Sequence, residues 1–279
     1  MKAQDLTTVG DNIAENGHAF PIDVMTEADA ASFRNRIEAL EAGPVGHGLP
    51  AQRLYRFKPY LIFKWASDLV RHPGVLRAVE QVIGPDIMVW AAGLFIKEPH
   101  DPTVIKWHQD GFHMDLSDND QAVRAWIALT ETSVANGTMS VISGSHLGGF
   151  IPHAEDDTSK HIALRGEHID DPEGADGAVP VCLRPGQMSL HHIRTVHGSP
   201  GNTTPERRMT VAITFIPPHI RPLSGRDTAT LVQGVDTYGH WIEEPALPTR
   251  EYDLECADVH RDSMDIRFAA YHGSVMPDP

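Results

Sequence analysis

The sequence predicts a mainly β fold, either a barrel or a two-sheet jelly roll, braced by helices in its N-terminal third. Helical patterns occupy the chain up to about residue 85. About eight short runs follow, which are apolar or alternating and rich in β-branched and aromatic residues. Many short strands after a helical start are typical of these architectures.

Three helices are predicted in the N-terminal third. Thr26 is a suitable N-cap, and Asp29 three residues later gives a weaker form of the capping box. They open an amphipathic helix at 27–42. Further helical stretches follow at about 61–70 and at 73–84.

The remaining pattern predicts strands with one long interruption. The predicted strands are 87–97, 103–108, 123–130, 138–142, 179–183, 187–192, 195–197 and 208–216. In the last strand, the apolar odd-numbered residues from Met209 to Phe215 share one face, and the even-numbered residues from Arg208 share the other. The polar segment 147–178 is expected to form a long loop or lid.

All 279 residues are expected to form one domain, and 41% apolar content is ample for its core. Its parts are a helical third at about 1–85, a β core at about 86–218 and a C-terminal extension at 219–279.

Composition argues against several classes of protein. A net charge of −15 disfavours nucleic-acid binding. The polar start does not resemble a secretory signal, and the longest apolar run, 87–96, is too short to span a bilayer. Cys182 and Cys256 are the only cysteines, and we expect both to be small buried hydrophobes in a cytoplasmic protein.

Four His-X-Asp sequences are candidate metal sites, because this spacing places two ligands on one face of a strand. His108 and Asp110 are favoured, since His108 ends an extended run that can direct it inward. Two histidines and one carboxylate on one face of iron leave positions for a co-substrate and oxygen. The less favoured pairs, in polar or charged contexts, are His113/Asp115, His168/Asp170 and His260/Asp262.

The third ligand must come from a distant strand. His197 fits best, because it ends a predicted strand before Gly198. His191 lies on the same side by strand parity, but a packed core position is favoured for it. Arg208 begins the next strand on its neutral face, where a buried guanidinium can bind a carboxylate bidentately. Arg207 beside it is expected to be solvated.

These motifs together resemble the phytanoyl-CoA dioxygenase-like family of 2-oxoglutarate oxygenases. The matching stretches are WHQDG at 107–111, VRAWIALTETSVANGTMSVISGSH at 123–146 and LRPGQMSLHHIRTVHGSPGNTTPERRMTVAITF at 183–215. The likeness runs from about residue 15 to 246. One departure is Ser143, where the family usually has proline before GSH, and it affects a turn only.

The resemblance implies a double-stranded β-helix, the cupin-like form of jelly roll. It implies Fe(II) bound by His108, Asp110 and His197. It also implies that Arg208 and Ser199 bind the distal carboxylate of 2-oxoglutarate, with Trp126 as an aromatic wall. The expected reaction uses O2 and 2-oxoglutarate to hydroxylate an unactivated C–H bond, releasing succinate and CO2.

The sequence leaves the substrate and the oligomeric state open. Four cations at 53–64 suggest a small polar or anionic metabolite, although a solvated basic helix edge is the simpler interpretation. Tyr238, Trp241 and Tyr252 near acidic residues suggest a cage for a quaternary ammonium, or simply a packed segment. Alternatives to the oxygenase are another cupin-type metal enzyme, such as an isomerase or a co-substrate-free dioxygenase, and a non-enzymatic binding barrel. A halogenase of the same family is disfavoured, because those lack the carboxylate ligand.

Overall fold

The computed structural model describes residues 5–43, 57–114, 116–117, 121–154, 168–223 and 225–272, without the side chains of His113 and 268–272. The α-helices in these ranges are α1 (Val9–Asn16), α2 (Glu27–Ala42), α3 (Lys64–Val70), α4 (Pro73–Ile83) and α5 (Ala257–His272). The first five strands in these ranges are β1 (His18–Asp23), β2 (Ile87–Lys97), β3 (Ile105–His108), β4 (Val123–Ala128) and β5 (Ser140–Val141). The later strands are β6 (Val179–Pro180), β7 (Gln187–His192), β8 (His197–Ser199), β9 (Arg208–Ile216), β10 (Thr228–Gln233) and β11 (Ile242–Glu243).

The strands form two facing sheets, and the predicted jelly roll is confirmed. The large sheet has the order β1-β7-β4-β9-β2-β10-β11, and the small sheet has the order β3-β8-β5-β6. Alternation along the strands explains how the layers stack. Residues such as Met209 and Ile213 pack on the helices, whereas Trp126 and Ala212 pack on Val141 of the small sheet. The inner face of the large sheet therefore faces the small sheet.

The N-terminal helices form for the reasons that the sequence indicates. Both hydrogen bonds of the capping box join Thr26 and Asp29 at the start of α2. An N-cap of this kind contributes about 1 kcal/mol. Helix α1 was not predicted, and it ends at Gly17, whose φ of 77° is the left-handed conformation typical of a helix end.

Strands β1, β10 and β11 were also missed. Pro21 interrupts the β1 pattern, but β1 lies at the edge of the large sheet, where a residue without an N–H is tolerated. Strand β10 pairs with β2, so the large sheet continues beyond the predicted limit at residue 218. The assignment of the whole chain to one domain remains a prediction.

The predicted lid lies only partly within the described residues, because 155–167 are outside them. Its two ends approach each other, since the N–H of Ala154 donates to the carbonyl of His168 at 2.7 Å and the reverse bond measures 2.9 Å. The expectation of two buried cysteines is wrong, because Cys182 is exposed and Cys256 is partly exposed. No helix in the described ranges is long and apolar enough to cross a membrane.

A buried ion pair joins the C-terminal segment to the rest of the fold. Lys58 is 1% exposed, and its Nζ donates to Glu244 at 2.5 Å and to the hydroxyl of Thr228 at 2.7 Å. The other carboxylate oxygen of Glu244 accepts from Tyr60 and Thr230. Of the predicted basic cluster, 53–56 lie outside the described residues, and the expectation of a solvated edge is wrong for Lys58.

We expect Glu244→Gln to lower the free energy of unfolding by about 3–5 kcal/mol, because it leaves Lys58 buried without a counter-charge. Urea denaturation followed by circular dichroism measures the loss. The matched control is Glu243→Gln, which alters the exposed neighbour. Combining Glu244→Gln with Lys58→Met should cost less than Glu244→Gln alone, and an equal or larger cost would show that the charge pairing is not responsible.

Candidate metal centre

Three side chains converge between the sheets as candidate metal ligands. His108 is the last residue of β3, and a 3₁₀ turn, Asp110–His113, begins at Asp110. His197 is the first residue of β8, not the end of a strand as predicted. Since β3 and β8 pair with His108 directly opposite His197, the two rings lie 4.1 Å apart between centroids. The ligand atoms of the three residues all lie within 4.8 Å of one another.

Both histidines present an unprotonated Nε2 towards this centre. Nδ1 of His108 donates to the carbonyl of Lys106 at 2.8 Å, and Nδ1 of His197 donates to that of Thr195 at 2.9 Å. Such bonds fix the tautomer that leaves the other nitrogen free to bind a metal. Burial lowers the pKa of each ring to about 4, with a further contribution from the neighbouring histidines. Both rings are therefore neutral at pH 7.

Asp110 lies between the two rings. Its Oδ1 is 3.8 Å from Nε2 of His108, and its Oδ2 is 3.7 Å from Nε2 of His197. Burial opposes ionisation, but Arg124 and the neighbouring histidines outweigh it and hold the pKa of Asp110 well below its ordinary value. The side chain is therefore anionic at pH 7.

The donor set fits a divalent iron ion. Ligands that each lie about 2.1 Å from a metal can be at most about 4.2 Å apart, and the distances from Asp110 to the two histidines meet this limit. Oδ2 of Asp110 is buried and has no hydrogen-bond partner among the described residues, as expected for an atom that a cation would satisfy. Two histidines and one carboxylate with open positions are the ligands of non-haem Fe(II) oxygenases.

Gln109, which the sequence interpretation overlooked, fixes the turn between two of these ligands. It is fully buried, and its side-chain amide donates to the carbonyls of Gly149 and Arg194 at 2.8 and 2.7 Å. Its side-chain oxygen accepts from the N–H of Ile151 at 2.8 Å. These bonds hold the turn against the 149–151 loop and the segment before β8, so the ligands are positioned before a metal binds.

Arg208 is a buried cation that lacks an ion pair within the described part of the chain. It is 2% exposed, and its Nε has no hydrogen-bond partner there. Its guanidinium lies 5.5 Å from the centroid of the Trp126 ring, so the structure brings together two of the residues predicted for the co-substrate. Burial lowers the pKa of Arg208 to about 10, with Asp101 opposing in part. A carboxylate that bound here would supply the missing counter-charge.

The two neighbouring cations already have partners. Lys97 pairs with Arg208 across β2 and β9, but its Nζ donates to the backbone carbonyls of Thr103, Ser199 and Pro200. Arg207 forms ion pairs of 2.6 Å with Glu41 and 2.9 Å with Glu98, so the expectation that it is solvated is wrong.

Ser199 is the last residue of β8, and its carbonyl accepts a hydrogen bond from Nζ of Lys97. Its hydroxyl donates to the carbonyl of Gly137 at 3.1 Å. Gly137, in the NG sequence of the motif, has a φ of 74°, and a Cβ there would lie 2.5 Å from the carbonyl oxygen of Pro200. Only glycine allows this loop to approach β8 so closely.

Two of the other His-X-Asp pairs are described, and neither belongs to the cluster of candidate ligands. His168 is buried, with Nε2 3.0 Å from Asp170, and His260 on α5 bonds to the carbonyl of Phe57 at 2.9 Å. The side chain of His113, and Asp115, lie outside the described residues. The aromatic cage is not formed, because Trp241 is buried and its Nε1 donates to the carbonyl of Ile220 at 2.7 Å.

The structure adds two residues to the site. The expectation that His191 is packed in the core is only half right, because it is 1% exposed but its Nε2 lies 3.5 Å from Oδ2 of Asp110. Arg124 lies 3.3 Å from Oδ1 of Asp110. Strand parity with Trp126, two residues later, could have placed Arg124 on the inner face.

Comparison with known proteins gives a consistent result. The family model described as Phytanoyl-CoA dioxygenase (PhyH) matches residues 13–210. The "Probable alpha-ketoglutarate-dependent hypophosphite dioxygenase" of Stutzerimonas stutzeri is 32% identical over 172 residues, which cover 60% of this chain and 58% of that protein. The L-proline trans-4-hydroxylase of Streptomyces griseoviridis is 28% identical over 190 residues, covering 60% of this chain and 71% of that one.

A solved structure resembles nearly the whole chain. The non-heme monooxygenase ThoJ in its apo form is 33% identical with a TM-score of 0.81, and the match covers 95% of this chain and 97% of ThoJ. CytC3, at 18% identity and a TM-score of 0.63, shares the fold.

Proposed function

Because the chain belongs to the phytanoyl-CoA dioxygenase family, we propose that it hydroxylates an unactivated C–H bond of a small polar or anionic metabolite. Membership confirms the family that the sequence resembles, and with it the non-haem iron and 2-oxoglutarate chemistry of that family. The observation that carries the proposal is the presence of His108, Asp110 and His197 as converging ligands together with Arg208, a buried cation that has no ion pair among the described residues.

Iron(II) with bound 2-oxoglutarate supplies the oxidation, in which O2 is consumed and succinate and CO2 are released. The residues of the chain prepare the site for it. His108 and His197 hold the metal through neutral nitrogens, and Asp110 neutralises one of its two charges. Arg208 binds the distal carboxylate of 2-oxoglutarate, and Trp126 forms a wall beside it. Ser199 can turn its hydroxyl from Gly137 towards the same carboxylate.

Arg208 also separates this proposal from its rivals. A cupin isomerase, or a dioxygenase that uses no co-substrate, needs no buried guanidinium that lacks an ion pair. A binding barrel without metal needs neither the converging ligands nor neutral histidines. Both rivals leave the cost of burying Arg208 without explanation.

The proposed substrate class rests on related proteins and on the site. The two relatives described above are named for hypophosphite and L-proline, which are small polar molecules. The two cations of the basic cluster that the structure describes do not support this choice, because Lys58 is bonded to Glu244 and Lys64 pairs with Asp68 at 2.6 Å.

The test is substrate-stimulated succinate formation. The Fe(II)-loaded protein is incubated in air with 2-oxoglutarate and a panel of small acids, phosphonates, betaines and acyl-CoA esters. We expect a small acid or phosphonate to raise the rate of succinate release, with a product heavier by one oxygen atom. Absence of succinate release with and without every member of the panel would contradict the proposal.

We expect the native enzyme to give only hydroxylated product in chloride buffer. Asp110 occupies the coordination position that a halide would need, so hydroxyl transfer is the remaining outcome. Mass spectrometry of the product in chloride and in chloride-free buffer measures this. A chlorinated product from the native enzyme would mean that Asp110 is not an iron ligand during turnover.

A further inference from the structure

A polar row crosses the inner face of the large sheet next to Asp110. Arg124 on β4 lies directly opposite His191 on β7 and directly opposite Thr214 on β9. The three residues therefore stand side by side on adjacent strands, and all project towards the small sheet. The next row towards Arg208, which contains Trp126 and Ala212, is largely apolar. A polar row at this place is not needed for packing.

Arg124 is held at one atom and open at the others. Its Nη1 lies 3.3 Å from Oδ1 of Asp110 and 3.4 Å from the hydroxyl of Thr214. Within the described ranges its Nε and Nη2 have no hydrogen bond. The side chain is 18% exposed and its guanidinium lies 5.7 Å from the centroid of the Phe95 ring, so Nε and Nη2 can still donate to a ligand.

His191 beside it is buried and unsatisfied. Its Nδ1 has no hydrogen-bond partner among the described residues, and its Nε2 has no closer acceptor there than Oδ2 of Asp110, 3.5 Å away, although the side chain is 1% exposed. A buried polar group without a partner costs about 1–3 kcal/mol, so a native protein seldom keeps one unless something else binds to it. One unsatisfied histidine next to an accessible arginine indicates a ligand at this row.

That ligand is distinct from the distal carboxylate of 2-oxoglutarate. Thr214 and Arg208 are six residues apart on β9, or about 20 Å along the strand. Trp126, on β4, lies in the row between Arg124 and Arg208, and its ring centroid is 5.5 Å from the guanidinium of Arg208. A carboxylate on Arg208 therefore leaves Arg124 free, on the Asp110 side of the site.

We propose that Arg124, together with His191 and Thr214, binds an oxyanion group of the prime substrate, such as a carboxylate, phosphonate or phosphinate. This assignment rests on the proposed function, because it places the anion beside the iron ligand Asp110. The oxidised C–H bond then lies close to the acidic group of the substrate. Small acids fit this arrangement, whereas acyl-CoA esters, whose charges lie far from the acyl chain, do not.

The test is a binding titration without turnover. The full-length protein is loaded with Fe(II) and saturating 2-oxoglutarate under anaerobic conditions, so that the Arg208 site is filled. Calorimetry then follows the addition of acetate, methylphosphonate, hypophosphite or L-proline, with L-prolinamide as the probe that lacks a carboxylate. We expect at least one oxyanion to bind saturably, and L-prolinamide to bind more weakly than L-proline.

Arg124→Met should weaken oxyanion binding about 10- to 150-fold, the range for loss of a charge-assisted hydrogen bond. Arg124→Lys should fall between that variant and the native protein, because a lysine keeps the charge but not the fork. The matched control is Arg77→Met, which removes an exposed positive charge on α4 and should change nothing.

Iron content and 2-oxoglutarate affinity of each variant distinguish the outcomes. Loss of oxyanion binding in Arg124→Met with both of these retained supports the assignment. A parallel loss of iron or 2-oxoglutarate would show that Arg124 serves the metal centre, and it would overturn the proposal. So would oxyanion binding that is absent in the native protein or unchanged in Arg124→Met. Failure of 2-oxoglutarate to bind to the native protein would refute the proposed function itself, and the assignment with it.

Discussion

Replacing His197 with alanine should abolish both iron binding and turnover. The imidazole of His197 reaches the centre from β8. Its Nδ1 is bonded to the carbonyl of Thr195, so Nε2 is the ring nitrogen that can bind the metal. Loss of a group that only orients a ligand costs about 10- to 100-fold, so loss of a ligand itself should exceed this range. The same result is expected for His108→Ala, because the two rings approach the metal from paired positions on neighbouring strands.

Metal analysis after anaerobic reconstitution, together with succinate release, measures this effect. His240→Ala, which removes an exposed imidazole, is the matched control and should retain the native iron content and rate. If either ligand variant kept near-native iron content and turnover, that histidine would not be a ligand. Circular dichroism of each variant checks that the sheets still form.

Arg208→Lys should raise the apparent KM for 2-oxoglutarate about 10- to 150-fold, the equivalent of about 1.5–3 kcal/mol. A lysine keeps the positive charge but cannot form the paired hydrogen bonds of a guanidinium. The packing of Arg208 against Trp126 makes the loss larger, because an ammonium does not fill the same space.

Initial rates against 2-oxoglutarate concentration give this constant. Arg207→Lys is a close control, because its neighbouring guanidinium pairs with Glu41 and Glu98 outside the site. If Arg208→Lys kept the native constant for 2-oxoglutarate, another cation would bind the distal carboxylate, and Lys97 would be the first to examine.

The elements that could be predicted are those whose signal is local. Strands β2, β7 and β9 have the predicted limits, because alternation and β-branched residues mark them within a few residues. The candidate metal ligands could be predicted because the two-residue spacing of His108 and Asp110 and the HGS sequence at His197 are short patterns, and the structure brings these three residues together. That their two strands pair, with His108 opposite His197, is visible only in the structure.

What could not be predicted depends on partners that are distant in the sequence. The burial of Lys58 requires Glu244, which is 186 residues away, and no local pattern announces such a pair. Arg124 and His191 resemble ordinary polar residues of a strand until the register places them opposite each other. Pro21 argues against a strand by itself, and only the position of β1 at the sheet edge explains why it is tolerated.

The link between Lys58 and Glu244 bears on how this enzyme could be recombined with its relatives. The family match ends at residue 210, yet the chain that follows supplies the outer strands of the large sheet and the counter-charge for Lys58. A chimaera joined after β9 would contain Lys58 without Glu244 unless both parent proteins carried this pair. Positions 58 and 244 should therefore be taken from the same parent. Among related proteins, we expect substitutions at these two positions to occur together.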